Sequence, residues 1–288
     1  MRISGFTFVR NGTLLGYPFV ESIRSILPIV DEFVVNVGRS EDDTLERVRL
    51  IGDPKIRIVE SVWNEGMRDH GFVYGQQKMI AHFNCTGDWA FYLEGDEVVH
   101  QRDLPAIRRV MERYLDDTDI EALAFDYHHF YGTPWQVVDS PRWCRRAVRI
   151  VRNTIRVTSP GGLFVTVLDR YRKGRYPRAA RLGVPIYHYG HCRSVAQMKE
   201  KVRQVSRYWG EDPPAFGGYG QIDPTLLHRF KGEHPAGMEG WLAEVAEQEF
   251  VPDPSYRPTR KERKHRWMLR AERTLGLELS MKRFRLVK

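Results

Sequence analysis

The chain has 288 residues, 42% hydrophobic and 28% charged, the balance of a soluble globular protein with room for one large domain or two small ones. No apolar run approaches the ~20 residues of a membrane-spanning helix, and a strand pattern begins at Ile3 with no signal-peptide core before it. Three scattered cysteines (Cys85, Cys144, Cys192) argue against a disulfide framework, so a cytoplasmic protein is expected.

Residues 3–9 read as a strand, followed by a turn at Arg10-Asn11-Gly12. Phe19, Val20, Ile23, Ile26 and Leu27 have helical spacing within 18–29. A second strand covers 32–37, Asp42-Asp43-Thr44 opens a short helix, and a third strand covers 56–60. A helix over 71–84 leads into the apolar run Trp89-Ala90-Phe91-Tyr92-Leu93. This alternation predicts an α/β fold, a mostly parallel sheet flanked by helices with right-handed crossovers. No G-x-G-x-x-G follows the first strand, which disfavours a dinucleotide fold of the dehydrogenase type.

The second half is richer in aromatics and histidine. A strand over 122–127 runs into His128-His129, a pair that points to opposite faces. Another strand spans 146–152, where Arg149 and Arg152 read most simply as solvated. A turn at Pro160-Gly161-Gly162 precedes a strand over 184–191. The Ser194–Gln197 spacing fits a capping box for a helix over 194–209. Residues 210–224 read as a loop or lid, 240–250 as a short helix, and Pro252, Pro254 and Pro258 as a linker. The division expected is a main domain over 1–250 and a basic helical extension over 251–288. The formal net charge of +8 sits in that extension: residues 256–288 carry twelve Lys/Arg against three Glu, leaving the rest of the chain at −1.

Chemistry concentrates where the run 89–93 stops, at Glu94, Asp96 and Glu97. A buried strand ending in carboxylates places them at a sheet edge, where α/β proteins bind ligands. Glu94 and Asp96, two apart, share a face in extended chain. Such hard oxygen donors suit Mn²⁺ or Mg²⁺, whose shells substrate phosphates commonly complete. The competing reading is a solvated acidic turn.

Gly87-Asp88-Trp89 followed by the apolar run and Glu94-Gly95-Asp96-Glu97 resembles the Asp-x-Asp element of GT-A glycosyltransferases, family 2 in particular, with Glu94 in place of the first Asp. Val34-Val35-Asn36-Val37-Gly38, with the acids and Thr44 after it, is similar to that family's nucleotide-binding segment, Asn36 standing for the usual Asp. The likeness extends over about residues 1–210. It implies a GT-A-like, Rossmann-related fold and transfer of a sugar from a nucleotide-diphosphate donor to a hydroxyl acceptor, with inversion. Val9, Arg10, Asn11, Asn36, Gly38, Lys78, Glu94 and Gly95 would contact the donor. Glu94 and Asp96 would hold the metal, joined by His188 from Ile186-Tyr187-His188-Tyr189-Gly190-His191, with His191 in reserve. Inversion requires one general base. Asp126 and Asp139 are the candidates, because the expected acid after Gly161-Gly162 is missing.

The partners expected are therefore a nucleotide sugar and a glycan or lipid-linked hydroxyl. The tail, with Trp267, Met268, Leu269, Leu275, Leu277, Leu279, Met281, Phe284 and Leu286 among its basic residues, suggests contact with an anionic membrane at its inner face rather than with nucleic acid. The alternatives are a sugar nucleotidyltransferase, which lacks its Gly-rich loop here, and a non-catalytic binder of the same fold. Zinc at His188, His191 and Cys192 is disfavoured for want of a second ligand pair.

Overall fold

Of the first four strands, the first, second and fourth are buried on both faces while the third, at the sheet edge, is only partly buried, the pattern of parallel strands covered by helices on each side. In the computed structural model, which describes all residues except 142, 172, 211, 213, 214, 247–249, 277, 278, 281 and 288, these strands are β1 (Ile3–Val9), β2 (Glu32–Gly38), β3 (Ile56–Ser61) and β4 (Trp89–Tyr92). They lie parallel in the order β3-β2-β1-β4. Three helices connect them: α1 (Phe19–Ile26), α2 (Thr44–Arg49) and α3 (Phe72–Phe83). Helix α3 begins after left-handed Gly71 and is capped by Asn84, as the sequence expects. The core on one side joins α1 (Phe19, Ile23, Ile26) to Phe33, Val35, Phe91 and Leu93.

After β4 the chain makes β5 (Glu97–Val99) and α4 (Leu104–Arg113), then β6 (Ala122–Tyr131), β7 (Thr133–Val138) and β8 (Arg146–Arg152). Strand β8 slots antiparallel between β4 and β6. A separate small sheet holds β9 (Val157–Thr158), β10 (Thr166–Leu168) and β11 (Gly174–Arg175). Strand β12 (Arg178–His191) begins earlier than the sequence suggests, runs parallel to β6 and pairs antiparallel with β5. Helix α5 (Val195–Trp209) follows, with the Ser194–Gln197 capping box formed in both directions.

Among the described residues, the remaining elements are β13 (Leu227–Arg229), α6 (Glu239–Ala246), α7 (Arg260–Leu275) and β14 (Arg285–Leu286). The C-terminal segment folds back over the sheet. Strand β14 pairs with β12, Phe284 enters the core beside Met79 and Val165, and Leu269 of α7 is buried against the β7 side. Buried Asp223 takes the Arg266 guanidinium of α7, and buried Glu272 takes that of Arg145 at 2.6 Å. Trp267 and Leu275 face solvent. Leu277 and Met281, and residues 247–249 of the short helix expected over 240–250, lie outside the described residues. No helix among the described residues is long and apolar enough to cross a membrane.

Candidate metal centre

Strand β4 ends at Tyr92, and the carbonyl of the next residue, Leu93, accepts from the Thr7 hydroxyl of β1 at 2.7 Å. This anchors the turn that follows, so Glu94 and Asp96 emerge at the C-terminal edge of the parallel strands. The Asp96 carbonyl accepts from the Tyr189 N–H at 2.8 Å, which docks the turn against the end of β12. His188 is thereby brought to the same place. Glu94, Asp96 and His188 each offer one ligand atom, and those atoms lie within 4.8 Å of one another. The backbone beside them is pared back. A β-carbon on Gly190 would stand 2.4 Å from His188 Nε2 and 3.2 Å from Asp96 Oδ2, so only glycine fits there. Two carboxylates and an imidazole form a mixed oxygen–nitrogen donor set that suits Mn²⁺ or Mg²⁺, and the residues fit the cation that the sequence resemblance implies.

Cations of the chain itself attend both carboxylates. Asp96 Oδ2 accepts from Lys201 Nζ at 3.0 Å and from buried Arg193 at 3.2 Å, and His188 Nε2 lies 3.6 Å from Oδ1. Burial alone would raise the Asp96 pKa, but Lys201 and Arg193, joined by His188 when it is protonated, outweigh it and hold the carboxyl well below its usual range. Glu94 goes the other way. Burial and the neighbouring Glu97 carboxylate push it up to about 7, against the pull of Arg149 at 2.8 Å. Two acids of one motif thus prefer different protonation states, the separation expected where environment rather than residue type sets charge.

The sequence singled out Glu97 without giving it a role and misplaced Arg149; the pairing of the two is what sequence reasoning missed. Arg149, read as solvated, is buried on β8. Its guanidinium grips Glu97 with two bonds of 2.7 and 2.6 Å and reaches Glu94 with a third at 2.8 Å. The second Glu97 oxygen contact is the Tyr127 hydroxyl at 2.7 Å. Arg152, also read as solvated, is buried over the Trp89 ring and donates to the carbonyls of Tyr114, Leu115, Asp117 and Ile120. Both corrections have one cause: β8 lies between two other strands, so its polar side chains must find partners inside the protein.

Two cavities meet at the cluster, and Glu94 and His188 line both. The smaller, 270 Å³, runs from Val9 and Arg10 to α5, between the rings of Trp63, Tyr74, Tyr92 and Tyr208. The larger, 620 Å³, extends between β6, the loop before β8 and the C-terminal segment, with Trp143, Tyr131 and Tyr256 among its rings. His265 and Arg283 of the C-terminal segment also face the larger cavity.

The structure sorts the expected site residues into three groups. Val9, Arg10, Glu94, Gly95, Asp96 and His188 line the smaller cavity. A second group stands behind its wall. Asn11 bonds the Glu41 N–H and Gln204, Gly38 lies so close to Trp63 that a β-carbon would sit 2.4 Å from its Nε1, and Asn36 is fully buried against Gln77 at 2.9 Å. Lys78 is also buried, 3.7 Å from the centre of the Tyr92 ring, and burial with the nearby Arg149 lowers its pKa to about 7. The third group is apart from the cluster. Asp126 is held by Arg146 and Arg181 at 2.8 Å each, and Asp139 by Arg145 at 2.8 Å. Both face a 450 Å³ cavity that adjoins the larger one at Tyr127, His129 and Trp143 but is not lined by Glu94, Asp96 or His188, so neither proposed base lies in the cluster itself.

No family model matches the sequence, and no curated protein matches it. The solved structures similar to this chain include TarS 1-349 of S. aureus, at 14% identity over 53% of this chain and 47% of that one, with a TM-score of 0.37. They also include glucosyl-3-phosphoglycerate synthase of Mycobacterium tuberculosis. Its complex with Mn²⁺, UDP-glucose and phosphoglyceric acid is 20% identical over 44% of each chain, with a TM-score of 0.32. Its complex with Mn²⁺, UDP and phosphoglyceric acid is 16% identical over 72% of this chain and 78% of that one, with a TM-score of 0.41. This chain spans about half the length of the first two.

Proposed function

We propose that this chain is a metal-dependent glycosyltransferase of GT-A type, which moves a sugar from a nucleotide-diphosphate donor to a hydroxyl acceptor with inversion. The observation that carries the reading is the meeting of two cavities at one carboxylate–histidine cluster. Group transfer between two substrates needs a donor site and an acceptor site that open on the same reacting atoms.

The smaller, ring-lined cavity suits a nucleotide base and ribose, with Arg10 and Lys201 at hand for phosphate charge. Glu94, Asp96 and His188 would hold Mn²⁺ or Mg²⁺, which supplies Lewis-acid neutralisation of the departing diphosphate. The chain contributes the rest. Lys201 and Arg193 keep Asp96 ionised and therefore ready to bind a cation. Arg149 fixes Glu97 and steers Glu94 from beneath. The larger cavity would receive the acceptor, and its aromatic faces at Trp143 and Tyr131 suit a sugar ring. On this reading the C-terminal segment is part of the acceptor wall, and the acceptor is a glycan or a lipid-linked glycan.

A panel of nucleotide sugars incubated with Mn²⁺ tests the proposal. Release of nucleoside diphosphate that requires the metal and disappears in Glu94→Gln supports an enzyme. Metal-dependent binding with no turnover of any donor, with or without sugar acceptors, would point to the non-catalytic binder instead.

A further inference from the structure

His129 has no part in the donor set, yet it touches His188 directly. The two are register partners on parallel strands β6 and β12, so their side chains stand side by side on one face. Their rings meet nearly edge to face, with centroids 4.9 Å apart, and their Nδ1 atoms are 2.8 Å apart. The other nitrogen of His129, Nε2, lies 2.8 Å from the Cys144 carbonyl oxygen. These two contacts form a chain whose protons can be placed.

A carbonyl oxygen only accepts, so His129 Nε2 must carry a proton. The ring is buried between Tyr127 and Trp143, and among the described residues no carboxylate bonds it. A neutral imidazole protonated on Nε2 has its lone pair on Nδ1. Its contact with His188 is then a hydrogen bond only if His188 donates from its own Nδ1. A neutral His188 with the proton on Nδ1 keeps its lone pair on Nε2, the atom that stands 3.6 Å from Asp96 Oδ1 and faces the cluster. The opposite tautomer would turn an N–H toward the carboxylates and could not ligate a cation.

We infer that His129 is a positioning residue: anchored by the Cys144 carbonyl, it holds His188 in the Nδ1–H tautomer and so presents the Nε2 lone pair to the divalent cation. The inference rests on the metal reading of the cluster. It also explains why a strand-end histidine pair was only half legible in the sequence: His128 turns to the other face and packs on Tyr187 and Phe230, while His129 turns to the site.

The test combines two measurements on the full chain. Long-range proton–nitrogen NMR of histidine-labelled protein, with the His188 signals assigned by comparison with His188→Gln, should show the wild-type ring protonated on Nδ1. Binding of Mn²⁺ alone, followed by the paramagnetic resonance of the free ion, should weaken roughly 10–100-fold in His129→Phe, the range for losing a partner that orients a metal ligand. His129→Gln, whose amide oxygen can accept the Nδ1 proton, should recover most of that affinity. A wild-type His188 protonated on Nε2 overturns the inference whether or not the variants fold. So does a folded His129→Phe that binds Mn²⁺ like the wild type while Asp96→Asn does not, and in that case the metal reading survives. A wild type that binds no Mn²⁺ overturns both.

Discussion

The two halves of the sheet bury different kinds of surface. Every residue of β2 is buried, and five of its seven are apolar or glycine. Strand β8 is just as central, but Arg149 and Arg152 lie in its buried stretch. Taking charges out of water is costly unless each finds a partner with good geometry. Arg149 meets that cost where Glu94, Glu97 and Tyr127 converge, and Arg152 among the carbonyls of Tyr114, Leu115, Asp117 and Ile120. The comparison locates chemistry physically: the first half is held mainly by packing, with Glu32, Asn36 and Lys78 as buried polar exceptions, and the second has a polar interior whose groups keep one another charged, oriented or neutral. The candidate metal centre lies where the two join.

The difference can be broken most severely by removing residues 256–288. Although this segment carries the chain's net positive charge, it supplies Arg266 to buried Asp223 and Phe284 to the core. The truncated chain should be aggregated or unfolded, with no cooperative thermal transition. A soluble product that melts cooperatively like the intact chain would show that the polar half closes without it.

Arg149→Met attacks the same half at one point. It leaves the Glu97 carboxylate buried with only the Tyr127 hydroxyl and a backbone N–H, and a broken buried pair of this kind costs about 3–5 kcal/mol. Denaturant unfolding should show that loss, and adding Glu97→Gln should restore much of it. A cost below about 1 kcal/mol, the level of an exposed ion pair, would mean that the pair is solvated after all.

Acid gives a gentler test, through groups away from the metal centre. Glu32, Glu121 and Asp223 all have lowered pKa values in the fold: burial raises each, but is outweighed by Ser4 and Thr86 at Glu32, by Arg175 at Glu121 and by Arg266 at Asp223. A lowered carboxyl contributes stability that is present above its unfolded pKa, about 4, and lost as pH falls through its folded value. Stability should therefore decline below about pH 4 as these groups protonate. Glu121→Gln should flatten part of the decline. An identical acid profile for that variant would contradict its share.

Local pattern made the scaffold legible. Helix α3 between Gly71 and Asn84, the Ser194 capping box and the strand from Trp89 to Tyr92 all depend on residues a few positions apart. The acids Glu94 and Asp96 were legible for the same reason. Arg149 was not, because its partner Glu97 is 52 positions away and nothing in Arg-Ala-Val-Arg-Ile-Val-Arg shows that β8 will be flanked on both sides. Three arginines in a strand so rich in Val and Ile were the available signal. Asp126 and Asp139 show the converse. Each is an acid in a plausible place, and only the fold reveals the arginines that hold it. The His129–His188 contact, 59 positions apart, follows from β6–β12 pairing that no local motif announces.

The central claim is that Glu94, Asp96 and His188 bind a divalent cation that in turn binds a nucleoside diphosphate. Calorimetric titration of nucleoside diphosphates, with and without Mn²⁺, into the wild type and Asp96→Asn tests it most directly. The account predicts that at least one diphosphate binds the wild type only when Mn²⁺ is present, and that a folded Asp96→Asn protein loses this binding. Equal affinity with and without the metal, or metal-dependent affinity unchanged in Asp96→Asn, would contradict it.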